Sequence, residues 1–216
     1  MDILKDKLKK LFRQILSRFS AYGYGYKIST EVWNLEYESG RWEYLSTIHQ
    51  MAHYMIIVGY IYHVRDELLK NNLSLLDVGC GQGVILRYLE AGQFSNYLGI
   101  DISSEAIKQA QSYSGSNIQF VEANFEEYEA EQKFDLIIFN ETIYYANSPV
   151  QTLLRYQKFL KPHGLFIVSI YIQRNSLDYI KKINNFFDVV SSIKVENDKR
   201  KKWTIELLKP RKLSQA

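Results

Sequence analysis

Residues 75–83 read Leu75-Leu76-Asp77-Val78-Gly79-Cys80-Gly81-Gln82-Gly83, a carboxylate and three glycines placed where an apolar run ends. Glycine has no Cβ, so a chain built this way turns tightly and lets a ligand lie against bare backbone. The ligand expected there is not a dinucleotide. A dinucleotide fingerprint needs its third glycine at position 84, which is Val84, and Asp77 would repel a pyrophosphate. A cationic ligand end suits Asp77 better. A second acid, Asp101, stands 22 residues beyond Gly79, where a carboxylate can accept hydrogen bonds from both hydroxyls of a ribose.

Two further clusters could do chemistry. The apolar run Phe134 to Phe139 delivers Asn140, Glu141, Tyr144 and Tyr145 together, and Glu141, Tyr144 and Tyr145 are candidates for contact with a substrate. His49 and His53 stand one helical turn apart. Such a pair can hold a metal, but no third ligand stands nearby, so no metal is expected and one of the two is instead a candidate general base. Cys80 is the chain's single cysteine, which excludes an internal disulfide or a zinc cluster of cysteines. Its place inside the glycine loop makes it a small filler beside the ligand, not a nucleophile.

The elements that position these groups follow from hydrophobic periodicity. Strands are expected at 74–78, 96–101, 118–121, 134–139 and 163–171, alternating with helices at 82–91, 103–113, 149–160 and 174–184. Such alternation implies a mainly parallel sheet with right-handed crossovers and helices on both faces. The tail departs from it, since 186–195 and 202–209 read as an antiparallel hairpin around Glu196 to Lys201. Ahead of the sheet lie a basic amphipathic helix over 2–20, a flexible Tyr-Gly joint, a helix over 30–38 capped by Ser29 or Thr30, and a long helix from Gly40 to Lys70. Residues 1–71 are thus expected to form a helical cap or lid, and 72–216 the core, within one structural domain.

This order of motifs resembles the class I S-adenosylmethionine-dependent methyltransferases over roughly residues 72–209. The resemblance implies an α/β, Rossmann-like, seven-stranded and mainly parallel sheet with an antiparallel last strand. It also implies roles for residues. Gly79, Cys80 and Gly81 face the methionine part of S-adenosylmethionine, Asp77 helps hold its amino group directly or through water, and Asp101 takes the ribose. Ile102 and Phe125 pack on the adenine, Asn124 accepts from the adenine amino group in place of the family's usual aspartate, and Asn140 supports the cofactor end. Gly40-Arg41-Trp42 matches a lid segment, with Arg41 a candidate for the cofactor carboxylate and Trp33 or Trp42 for shielding the sulfonium. A surface ion pair and core packing are the alternatives for these three. Within the family the chain looks closest to small-molecule enzymes of the nodulation and sugar-tailoring type.

Composition bounds the partners. With 216 residues, 46% of them apolar, the chain can bury one well-packed core, and its net charge of +3 is mild for a dedicated nucleic-acid binder. The segment after Phe139 also lacks the Asn/Asp-Pro-Pro-aromatic motif that clamps a base amine. The acceptor is therefore expected to be a small molecule, methylated on oxygen or nitrogen; a sugar, an amino compound and a secondary metabolite all remain open. No apolar run approaches the ~20 residues of a membrane span, so the cytoplasm is the expected location. The alternatives are an RNA or protein methyltransferase that uses the basic 2–20 helix, or a protein bound to a membrane surface through it. The oligomeric state is not legible.

Overall fold

The structure, a computed structural model, describes residues 28–68, 73–90, 94–173 and 176–211. The helix expected over 2–20 lies outside the described residues, so neither its docking role nor the lid role is addressed by them. Helix α1 (Thr30–Glu38) begins after Ser29, whose backbone is extended and whose side chain makes no capping bond. The long helix expected from Gly40 starts later. Gly40 has φ +72°, a 3₁₀ turn follows at Glu43–Ser46, and Thr47 is extended, so α2 runs from Ile48 to Glu67.

The core elements are β1 (Leu73–Val78), β2 (Phe94–Asp101), α3 (Ser104–Ala110), β3 (Ile118–Glu122), β4 (Phe134–Asn140), α4 (Pro149–Tyr156), β5 (Leu160–Tyr171), α5 (Ser176–Asn184), β6 (Phe187–Glu196) and β7 (Lys202–Pro210). The helix expected over 82–91 is only a 3₁₀ turn at Val84–Tyr88. Val84, Ile85 and Leu86 are consecutive and all buried, a wider arc than the one-sided apolar stripe of an amphipathic helix covers, and two of them are β-branched. By contrast α3 is capped in the ordinary way, because Ser103 Oγ accepts from the Ala106 N–H.

The seven strands lie in the order β3-β2-β1-β4-β5-β7-β6, with β1 to β5 parallel and β7 antiparallel to both its neighbours. Adjacent strand residues point to opposite faces, which divides the core in two. Leu75, Ile138, Ile167 and Ile205 pack against Ile57, Ile61 and Val64 of α2 on one face. Leu76, Ile137, Phe166 and Leu208 pack against Leu153 and Tyr156 of α4 and Ile183 of α5 on the other. Covered on both sides, β1 is buried at all six positions, as parallel strands are. The strand order reverses at β1 and β4, so a crevice opens beyond their carboxyl ends.

Candidate active site

A cavity of ≈ 470 Å³ fills that crevice. Its floor is the glycine loop, where Gly79, Gly81 and Gly83 have φ of +70°, +56° and +74°, a region other residues enter only with strain. The loop is also tightly covered. A Cβ at Gly79 would stand 2.5 Å from the Thr142 side chain, and one at Gly81 would stand 2.7 Å from the Tyr37 hydroxyl of α1. Gly81 N–H donates to Asp101 Oδ2 and Ser103 N–H to Asp101 Oδ1, both at 2.9 Å, so the carboxylate at the end of β2 is fixed by the loop it faces. Burial raises its pKa to about 6 although these bonds oppose the shift.

Asp77 lies behind the loop and is only 3% exposed. The phenol of Tyr97 donates to its Oδ2 at 2.6 Å, while Oδ1 is buried without a hydrogen-bond partner. Burial lifts this carboxyl to about 7, with the Tyr97 bond acting in the opposite direction. An orphaned carboxylate oxygen here fits a cationic ligand group or its bridging water. Asn140 at the end of β4 also has a buried side-chain oxygen without a partner, and it stands in the cavity wall.

Of the other residues singled out from sequence, Cys80, Ile102 and Phe125 line the cavity, and so do Trp33 of α1 and Arg41 and Trp42 of the turn after it. Trp33 meets Trp42 at 5.8 Å and Tyr145 edge-on at 5.0 Å, closing an aromatic arch over the cavity. Arg41 Nη1 pairs with Glu36 at 3.0 Å. Asn124 is not in the wall: its Oδ1 accepts from the Glu126 N–H in a local turn.

Glu141, Tyr144 and Tyr145 do meet in the wall. Glu141 has φ +59°, a strained conformation that aims its carboxylate at β5 and β7. Ser169 Oγ donates to Oε1 at 2.9 Å, Tyr144 O–H donates to Oε2 at 3.2 Å, and the Trp203 indole also donates to it. Burial nevertheless pushes its pKa up to about 7, and both phenols are pushed well above their ordinary range.

The two histidines are corrected. They share a helix face, but that face does not reach the cavity. His49 Nδ1 pairs with Asp198 at 2.7 Å near the surface. His53 is sandwiched between Tyr54 and Trp203, neither ring nitrogen has a partner, and burial lowers its pKa to about 3. A ring so placed stays neutral and within reach of no acceptor. Among the described residues no cluster of three metal-ligating side chains exists. Sequence reading missed Tyr171 and Trp203, paired across β5 and β7, Lys201 just ahead of β7, and the buried Ser169 that holds Glu141 from behind the wall.

The sequence profile of the methyltransferase domain family matches residues 69–206. The chain belongs to this family. The chain is 34% identical over 146 residues to a ubiquinone biosynthesis O-methyltransferase of Rickettsia akari (strain Hartford), covering 66% of this chain and 56% of that protein. A second such protein, from Rickettsia conorii, is 34% identical over 120 residues, 41% of its length. The chain thus spans about half the length of these relatives. Its fold is shared with N-methyltransferase NodS from Bradyrhizobium japonicum WM9, solved with S-adenosyl-L-homocysteine, at a TM-score of 0.67 and 14% identity over 83% of this chain and 98% of that one. The [4+2]-cyclase SpnF superposes as well, with a TM-score of 0.66. Likeness at this level shows the fold and leaves the chemistry to the site. No helix among the described residues is long and apolar enough to cross a membrane.

Proposed function

We propose that this methyltransferase binds S-adenosylmethionine and methylates a hydroxyl oxygen of a small molecule, with Glu141 taking the acceptor's proton. The observation that carries the choice of oxygen is Glu141 itself, a carboxylate in the cavity wall whose pKa of about 7 matches that of a base working near neutrality. The cofactor residues are supported by their positions: Asp101 for the ribose, the glycine loop and Asn140 for the methionine end, Asp77 behind them for the ammonium, and Ile102 and Phe125 for the adenine. When bound, S-adenosylmethionine supplies a methyl group already activated by its sulfonium.

The chain's own part is alignment, exclusion of water and removal of one proton. The arch of Trp33, Trp42 and Tyr145 screens the cavity. Ser169 and Tyr144 fix the Glu141 carboxylate, which accepts the hydroxyl proton as that oxygen gains its methyl. Titration with S-adenosylhomocysteine tests the cofactor half: a micromolar constant, on the order of −8 kcal/mol, is expected, and Asp101→Ala should weaken it strongly. An absence of binding to the native protein sinks the reading. Glu141→Gln tests the other half, with turnover expected to fall about 10²- to 10⁴-fold while S-adenosylhomocysteine affinity holds. The methyl acceptor is a small molecule in this reading, and the location is the cytoplasm.

A further inference from the structure

We propose that the acceptor is a hydroxy-aromatic acid, whose carboxylate is bound by Lys201 while its ring lies among Tyr44, Tyr171 and Trp203. This rests on the methyltransferase reading and specifies its substrate. Strand order separates the two ends of the cavity. The cofactor residues follow β1 and β2, whereas Lys201 and Trp203 border β7, three strand steps from β1, about 14 Å at ~4.8 Å per step. Glu141, at the end of β4, stands between them.

Lys201 is held by a built loop. Asn197 Oδ1 accepts the N–H groups of Lys199 and Lys201, each at 2.9 Å, and Lys201 O accepts from Asn197 N–H at 3.0 Å. The same asparagine donates through Nδ2 to His49 O at 2.6 Å, and Asp198 pairs with His49, so the loop is pinned to the start of α2. Within this basic run Lys199 lies 3.8 Å from Asp198, and Lys202 lies 3.0 Å from Glu196. Lys201 differs: it stands in the cavity wall with Nζ 5.2 Å from the Tyr44 ring centroid. Among the described residues no carboxylate lies within 4.0 Å of it. A cation held over an aromatic ring in the cavity wall, with no ion-pair partner among the described residues, is complementary to an anionic group on a flat ligand. Tyr171, whose ring stands 5.6 Å from Trp203 at a tilt of 56°, adds a second aromatic side to this end of the cavity.

The cofactor also carries a carboxylate, and the test must separate the two sources. Protein saturated with S-adenosylhomocysteine is titrated calorimetrically with hydroxybenzoates and hydroxyphenylacetates and with the neutral amides of the same acids. The best acid should bind about tenfold more tightly than its amide, as one charge-assisted contact allows. Lys201→Met should abolish that preference and leave S-adenosylhomocysteine affinity unchanged, while Lys201→Arg should keep it. Equal binding of acid and amide by the native protein, or binding of neither, overturns the proposal. So does a loss of S-adenosylhomocysteine affinity in Lys201→Met, which would assign the lysine to the cofactor. If the native protein fails to bind S-adenosylhomocysteine at all, it is the methyltransferase reading that falls.

Discussion

Two carboxyls with pKa values near 7 set what single residues do here. Glu141 can accept a proton only when ionised, so turnover should rise with pH through about 7 and level off above it. The Tyr144 hydrogen bond lowers that pKa, so Tyr144→Phe should move the rising limb to higher pH; a limb that stays in place would remove Tyr144 from the proton-accepting unit. Asp77 obeys the same logic behind the glycine loop. Tyr97→Phe deletes the hydrogen bond to its Oδ2 and with it the influence that holds its pKa down. The variant should bind S-adenosylhomocysteine about five- to tenfold more weakly at pH 7 and recover part of the loss at pH 8.5, as calorimetry at the two values would show. The two acids were visible in the sequence because each ends an apolar run. The histidines misled because i, i+4 spacing says that two residues share a helix face, not whether that face meets a cavity, a core or water.

At the scale of elements, the glycine loop is constrained from above as much as from within. Gly81→Ala places a Cβ 2.7 Å from the Tyr37 hydroxyl in a backbone region costing roughly 1–2 kcal/mol for an L-residue. Because the Tyr37 ring carbon Cζ lies at an ordinary 3.7 Å, Tyr37→Phe should relieve the clash, and the double variant should melt above Gly81→Ala alone. If both melt alike, backbone strain is the whole cost. Core packing makes a plainer claim: Ile61 of α2 is fully buried against the sheet, and Ile61→Ala should cost about 2–5 kcal/mol in denaturant unfolding. Strands and their parallel direction were legible from apolar runs of the right length. The helix expected over 82–91 was a misreading of a 3₁₀ turn, because the consecutive buried residues Val84, Ile85 and Leu86 carry no period that separates the two. The wall at Tyr171 and Trp203 was hidden for another reason: it depends on the β5–β7 register, which pairs the two residues, and no local pattern records that pairing.

For the whole molecule, Asp77, Asp101 and Glu141 are all raised by burial, to about 7, 6 and 7, from 3.8, 3.8 and 4.5. Between about pH 4 and 7 the unfolded chain therefore holds fewer protons than the folded one. The sign follows: these groups contribute stability below pH 4 that is lost as pH rises through 7. The ligand-free protein should melt at lower temperature at pH 7.5 than at pH 5.5, and a flat profile would count against the burial of these acids. S-adenosylhomocysteine at a hundredfold excess over its dissociation constant should add about 2.7 kcal/mol, read as an upward shift in melting temperature.

The insertion of β7 between β5 and β6 bears on how the molecule is made on the ribosome. Everything proposed to hold the cofactor within the sheet and its loops is present in the growing chain by Asn140, whereas Lys201 and Trp203 emerge some sixty residues later. Until then β5, twelve residues long, has an open edge, the kind of surface on which nascent chains mispair. The half that binds cofactor can thus mature on the emerging chain, and the half that would choose the acceptor is the last to be sealed.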